Sequence, residues 1–293
     1  MTMAPGVFVG LSTIDIVYNV DVFPAPNSKV AAQSQHVFVG GPATNAAIAF
    51  AHLGGTAALA TAVGRHALAE AIRRELAMYF VQSIDLAPNF DDVPAISSVT
   101  VDKTGSRNVV SANAVRTADV SVAVDAKALD PARVLLVDGH SMPACQAWAE
   151  AAHARGIPVV LDGGTWKDGT GDLLKNVDTA VCSADFAPPG SSNPEETIAF
   201  LKNAGIKNIA ITRGADPIRF EAGQSSGLLR LPPIEAVDTM GAGDIFHGSF
   251  CYFLSIGRGF VEALAEAARI ASESCRFAGT RQWMQHCPRN PAP

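Results

Sequence analysis

From Thr56 onward, short apolar runs and amphipathic runs take turns along the chain. That alternation limits what the chain can fold into more than any other feature. The segments 57–63, 134–137, 158–161, 179–182 and 209–212 are short and apolar, as strands buried on both faces are. Between them, 67–80, 143–154 and 194–204 read as helices; Leu68, Ile72, Leu76 and Tyr79 share one face of the first. Pro143 near a helix start and Gly205 just past a helix end are the expected punctuation. Such alternation predicts an α/β fold: a central parallel sheet with helices on both faces. The run 6–11 adds a strand, 218–221 with 228–231 a late hairpin, and 261–278 a last Ala-rich helix expected to pack across the sheet. A hydrophobic content of 48% over 293 residues supports one large core, so 1–293 is expected to be a single domain.

Two other stretches do not suit the interior of a parallel sheet. Segments 14–22 and 32–39 alternate polar and apolar residues, and 97–102 and 108–111 bracket a Lys-Thr-Gly-Ser-Arg turn, a hairpin signal. These four segments are expected to form one discontinuous β lid, drawn from 14–39 and 97–112. A sheet that small is marginal alone, and its open edges invite pairing. Packing two lids about a two-fold axis would bury an apolar face, with Tyr18, Val20 and Val101 as candidates, so a homodimer through the lid is expected. The alternative is a monomer whose lid folds over a pocket.

The chemistry concentrates in Val237-Asp238-Thr239-Met240-Gly241-Ala242-Gly243-Asp244-Ile245-Phe246. Gly241 and Gly243 permit strained dihedrals and close approach to a ligand, and an amphipathic run follows at once. A glycine turn feeding a helix N-terminus presents unpaired amides at the positive end of the helix dipole, which is an anion site. Asp244 at its mouth suits a general base that takes a proton from a hydroxyl attacking a phosphoryl group, or else merely caps the helix. A second glycine turn, Gly40-Gly41-Pro42-Ala43-Thr44-Asn45, opens another helix and places Asn45 in its first turn. Asp15 follows the first strand, where ligands bind in open α/β sheets.

The Asp-Thr-x-Gly-Ala-Gly-Asp string, with the Gly-Gly turn and early Asn far upstream, resembles the signatures of the ribokinase-like (PfkB) carbohydrate kinases. The resemblance runs from about Val7 to about Gly279. It is strongest toward the ketohexokinase and sulfofructose kinase branch, through Gly40-Gly41-Pro42-Ala43, Asp244-Ile245-Phe246-His247-Gly248 and the stretch around Cys275. The resemblance implies a Rossmann-like sheet with a β lid. It also implies ATP- and Mg²⁺-dependent phosphorylation of a sugar hydroxyl, with a ketohexose-like acceptor. Asp244 would be the catalytic base, and Gly241, Ala242 and Gly243 would form the anion hole. Asp15, Gly41 and Asn45 would hold the sugar, with Arg107, Asn113 and His140 as further contacts. Ser183, Thr212, Gly214 and Cys275 would lie on the nucleotide side, with the Gly241 and Gly243 amides. Lid-to-lid dimers fit the same resemblance. Asp162 would orient magnesium-bound water or cap a helix.

The sequence departs from the family pattern in two places. Where relatives carry Asn-x-x-Glu near the magnesium shell, this chain has Ser183-Ala184-Asp185-Phe186, so the metal ligands stay unassigned. Gly64-Arg65-His66 replaces a longer glycine loop at the sugar rim. A nucleoside, a ketodeoxy acid or a vitamin alcohol remain alternative acceptors, and a sugar-binding regulator without turnover is the non-enzymatic alternative.

Net charge of −6 offers no basic field for nucleic acid. The first basic residue is Lys29, so a secretory signal is not expected, and the interrupted Ala-rich stretch 40–63 reads as helix plus strand rather than a membrane span. Five scattered cysteines suit buried thiols in a reducing cytoplasm.

Overall fold

The computed structural model describes residues 4–112, 120–231 and 233–287. Thirteen strands and eight α-helices are found among these residues. The chain opens with β1 (Pro5–Val9), β2 (Thr13–Asn19), β3 (Ser34–Gly40), α1 (Pro42–His52), β4 (Thr56–Thr61), α2 (Ala69–Met78) and β5 (Val81–Asp85). The hairpin β6 (Ile96–Val101) and β7 (Arg107–Ser111) follows, then α3 (Ala126–Leu129), β8 (Leu135–Val137) and α4 (Met142–His153). Next come β9 (Val159–Gly163), α5 (Thr170–Leu173), β10 (Thr179–Ser183), α6 (Pro194–Asn203), β11 (Asn208–Arg213), β12 (Asp216–Ala222) and β13 (Ser225–Leu229). Two long helices, α7 (Ala242–Ser255) and α8 (Phe260–Ser274), come last.

The central sheet has the order β13-β12-β11-β10-β9-β8-β1-β4-β5. Strands β11 through β5 in that order are all parallel, while β12 and β13 add an antiparallel margin, so the sheet is mixed rather than wholly parallel. Its inner strands are covered on both faces, which is why they read as continuous apolar runs. Val7 and Val9 point into one core with Trp148 and Leu201, and Phe8 points into the other with Phe50 and Phe250. From β1 the chain turns to β4 and β5 on one side and later returns to β8 on the other. Ligand crevices form at such a switch point, outside the strands' carboxyl ends.

The second sheet has the order β3-β2-β6-β7 and joins the four segments from 14–39 and 97–112. Its central pair, β2 with β6, is parallel, and its outer pairs are antiparallel. Residues 17, 19 and 101 face inward over a cleft, together with His36 and Phe38. Val20 is buried, so it is not available to a partner as the sequence suggested.

Two elements differ from expectation. Strand β5 follows α2 with no Gly or Pro between them; Phe80 makes the turn itself at φ 58°. The last helix stops at Ser274, because the Cys275 carbonyl accepts the Val237 and Asp238 amides (2.8 and 3.1 Å) rather than a further helical turn. That helix packs chiefly on α7.

Helix α7 also lies against α1, and Gly248 permits it: a Cβ there would sit 2.1 Å from the Ala46 carbonyl oxygen. This contact is one residue from Asn45 and one turn from Asp244, so it sets the spacing of the two. Gly248→Ala is expected to cost about 1–3 kcal/mol by overpacking against backbone. A denaturant midpoint equal to wild type would contradict the close approach.

Candidate active site

The loop before α7 is pinned from two sides. Asp238 accepts the Met240 amide at Oδ1 and the Gly279 amide at Oδ2, each at 2.8 Å, while Cys275 holds the preceding amides. Gly241 is the N-cap at φ 65°, and a Cβ on it would meet the Thr280 methyl at 2.6 Å. Gly243 is exposed, with open space where a Cβ would stand. Gly241, Ala242 and Gly243 thus start a 14-residue helix; the Ala242 amide donates to the Thr239 carbonyl at 3.3 Å, and the exposed Gly243 amide stands in the first turn, where an anion can approach.

Asp244 is partly buried, and its Oδ2 accepts the Asn45 Nδ2–H at 2.7 Å. Burial pushes its pKa up to about 7, and the nearby Asp162 adds to the rise. The Asn45 hydrogen bond and His247 pull the other way without cancelling it. A carboxyl group poised near neutrality suits proton acceptance. Asp162, at the end of β9, is buried, and burial likewise raises its pKa. Its Oδ2 has no hydrogen-bond partner among the described residues. His247 Nδ1 lies 3.4 Å away but faces the Gly243 carbonyl at 2.7 Å, while Nε2 faces the Val181 carbonyl at 3.0 Å.

The glycine turn before α1 is sterically dictated. Gly41 has φ 99°, and a Cβ would strike the Leu11 carbonyl oxygen at 2.2 Å. A Cβ on Gly40 would strike Asp15 Oδ2 at 1.9 Å. Asp15 lies within the lid strand β2, and its Oδ1 accepts the Thr13 hydroxyl at 2.8 Å. Burial raises its pKa, with Thr13, Ser97 and Arg281 opposing. Asn45 is committed at both ends of its amide: Nδ2 to Asp244, and Oδ1 to Arg281 Nη1 at 2.8 Å. The structure thus brings Asp15, Gly41, Asn45, Gly241 and Asp244 into one neighbourhood.

The other candidates are more dispersed. His140 donates its amide to Asp138 Oδ1 at 2.9 Å, and its ring is near enough to Asp162 to lower that residue's pKa. Asp138 also accepts the Leu11 and Ala43 amides (2.8 and 3.2 Å), tying β1, α1 and β8 together. Ser183 and Thr212 are neighbours across β10 and β11, with hydroxyls turned to the Gly164 and Cys182 carbonyls (2.8 and 3.3 Å). Gly214 is exposed at φ 55° with open space around it. Cys275 is buried and serves the loop through its carbonyl. Arg107 is exposed and donates to the Thr239 hydroxyl across the cleft. Asn113 lies outside the described residues. Asp185 is exposed, and no group of His, Cys, Asp and Glu among the described residues is arranged to hold a metal ion. The cleft under the lid measures about 550 Å³; the 237–240 loop forms part of its wall, but Asp244 itself does not. Among the described residues, no helix is long and apolar enough to cross a membrane.

Sequence reasoning passed over Arg281, Glu75 and Lys167. Lys167 Nζ reaches the Asp138 carbonyl at 3.3 Å and helps lower the Asp162 pKa. Nothing local marks these residues; each meets the site through the fold.

A family model described as pfkB family carbohydrate kinase matches residues 3–287. The chain belongs to the pfkB carbohydrate kinases. Ribokinase of Bacillus subtilis is 26% identical over 279 residues, 92% of each chain. A solved protein from Agrobacterium tumefaciens superposes with a TM-score of 0.89 at 23% identity, over 99% of this chain and 95% of that one. An E. coli protein solved with ATP and Mg²⁺ does so with a TM-score of 0.78 at 18% identity, over 96% of each chain. The two structures establish the ribokinase-like α/β fold.

The raised Asp244 pKa fixes the sign of a pH effect. The fold favours the protonated form, so its contribution is complete below the ordinary value of 3.8 and is lost as pH rises through about 7. Melting temperature is expected to fall between pH 4 and pH 7.5, and Asp244→Asn to flatten that slope. Equal slopes in the two proteins, followed by circular dichroism, would refute the shift.

Proposed function

We propose that the chain phosphorylates a hydroxyl of a small sugar at the expense of ATP, with Asp244 as the general base. The observation that carries this is the carboxyl group poised near pH 7 at the mouth of an open helix N-terminus. When bound, ATP supplies the γ-phosphoryl group and Mg²⁺ neutralises its oxygens. The open space at Gly214 and Gly243 and the exposed first turn of α7 fit the nucleotide's phosphates. With no protein cage for a cation among the described residues, Mg²⁺ would come with the nucleotide.

In this reading Asp244 takes the proton of the acceptor hydroxyl. That oxygen bonds to the γ-phosphorus while the bond to the β-phosphate breaks and ADP leaves. The Gly241–Gly243 amides stabilise the charge on the transferring group. Asp15, Gly41 and Asn45 hold the sugar, with Arg107, Asn113 and His140 at its rim. Ser183, Thr212, Gly214 and Cys275 border the nucleotide. The lid excludes water that would otherwise take the phosphoryl group. The resemblance to the ketohexokinase branch favours a ketohexose; the relative named ribokinase favours a pentose. Measuring ATP consumption with pentoses, ketohexoses, sulfosugars, nucleosides and keto acids separates the two, and silence across the panel would overturn the kinase reading. Asp244→Asn is expected to lower kcat by a factor on the order of 10² or more with ligand affinities little changed. Near-normal turnover would remove the base assignment.

We also propose a homodimer through the lid's outer face. Ile16 pairs with Val37 and with Ser98, which pairs with Val110, so the three apolar residues share one side of the sheet. Val37 and Val110 are 61% and 75% exposed. Tyr18 shares that side by its register, whereas Val101 faces the cleft. Light scattering is expected to give twice the monomer mass, reduced by Val110→Asp. A monomeric wild type, or an unweakened variant dimer, would sink this interface.

A further inference from the structure

Arg281 lies beyond the last long helix, and its side chain is only 12% exposed. Nε donates to Glu75 Oε1 at 3.0 Å, Nη1 to Asn45 Oδ1 and to Thr280 Oγ1, each at 2.8 Å, and Nη2 to the Val39 carbonyl at 2.8 Å. The guanidinium also stands over the Tyr79 ring, 5.5 Å from its centroid. Four of its five N–H groups are thus spent on protein acceptors, which leaves little for a ligand.

One of these bonds has a chemical consequence. A guanidinium only donates, so the end of the Asn45 amide that meets it must be the carbonyl oxygen. The other end, the NH₂ group, is then turned toward Asp244 Oδ2 at 2.7 Å. If the amide were reversed, two donors would face each other at Arg281 and two oxygens at Asp244. We propose that Arg281 is a positioning residue that locks the Asn45 amide in the orientation that donates to Asp244. The inference rests on the reading of Asp244 as the base only for its effect on turnover.

With the amide locked, Asp244 always meets a donor, which favours its charged form. Released, the amide can rotate and accept a proton from a protonated Asp244, favouring the neutral form. The groups facing Asp244 are Asn45 on α1, Asp138 just past β8, Asp162 on β9, His247 on α7 itself and Arg281. Arg281→Lys keeps the positive charge in this set but removes the planar fork, so it isolates orientation from Coulomb attraction.

The test is a carbon-13 titration of the aspartate carboxyl groups, with Asp244 assigned by its absence in Asp244→Asn, beside the pH dependence of kcat/KM. Arg281→Lys is expected to raise the Asp244 pKa by about one unit, the scale of one hydrogen bond to a charged group. Glu75→Gln, which loosens the guanidinium from its other side, is expected to shift it the same way by less, and it decides the matter alone if Arg281→Lys does not fold. The acidic limb of kcat/KM is expected to follow. An unmoved Asp244 titration in folded variants overturns the inference, even where melting temperature drops. A shifted titration with an unmoved acidic limb keeps the inference and removes Asp244 as the base.

Discussion

The site depends on the hydrogen bond between Asn45 and Asp244, which joins the first turns of α1 and α7. Neither helix start is independent of the other. Pro42 and Gly41 set where α1 begins, and Asp138 clamps its Ala43 amide to the end of β1. Gly241 sets where α7 begins, and Gly248 lets its axis come close enough for the side chains to meet. Two glycine turns and one glycine contact therefore fix a distance on which proton transfer would depend.

Electrostatics around that bond is a balance of burial against few compensating donors. Asp138, Asp162 and Asp244 all lie near the carboxyl ends of the central strands or the helix that faces them. Asp138 is satisfied by three backbone amides. Asp162 and Asp244 are not satisfied to that degree, and both are driven toward their protonated forms. Only the second meets a side-chain donor held in place from behind. Pushing neighbouring carboxyl groups to different proton affinities is a general way to assign them different work.

Much of this was legible in the sequence because it is local. The Gly-Ala-Gly-Asp string encodes its own turn and helix start, and buried strands carry their apolar runs wherever they pair. Strand β5 escaped notice because Phe80, not glycine, takes the left-handed turn before it. The end of the last helix was misplaced because a contact from the distant 237–238 loop ends it. Asp15 was legible both as a residue just past β1 and as part of the alternating lid segment 14–22, because β2 begins only a few residues beyond the central strand. Arg281 and Glu75 left no sequence signal, since their pairing spans 206 residues and neither sits in a motif.

The same separations bear on the order of folding. Asn45 meets Asp244 across 199 residues and Arg281 across 236. Closing such loops is slow compared with pairing neighbouring strands and helices. During synthesis α1 and the early strands emerge long before either partner exists. Asn45, which ends up almost fully enclosed, must wait in water for most of the chain to be made. The parallel sheet can assemble around it, but the pocket takes its chemical form only when the residues past α8 fold back against Asn45. Competence therefore arrives as a late event, separate in time from compactness.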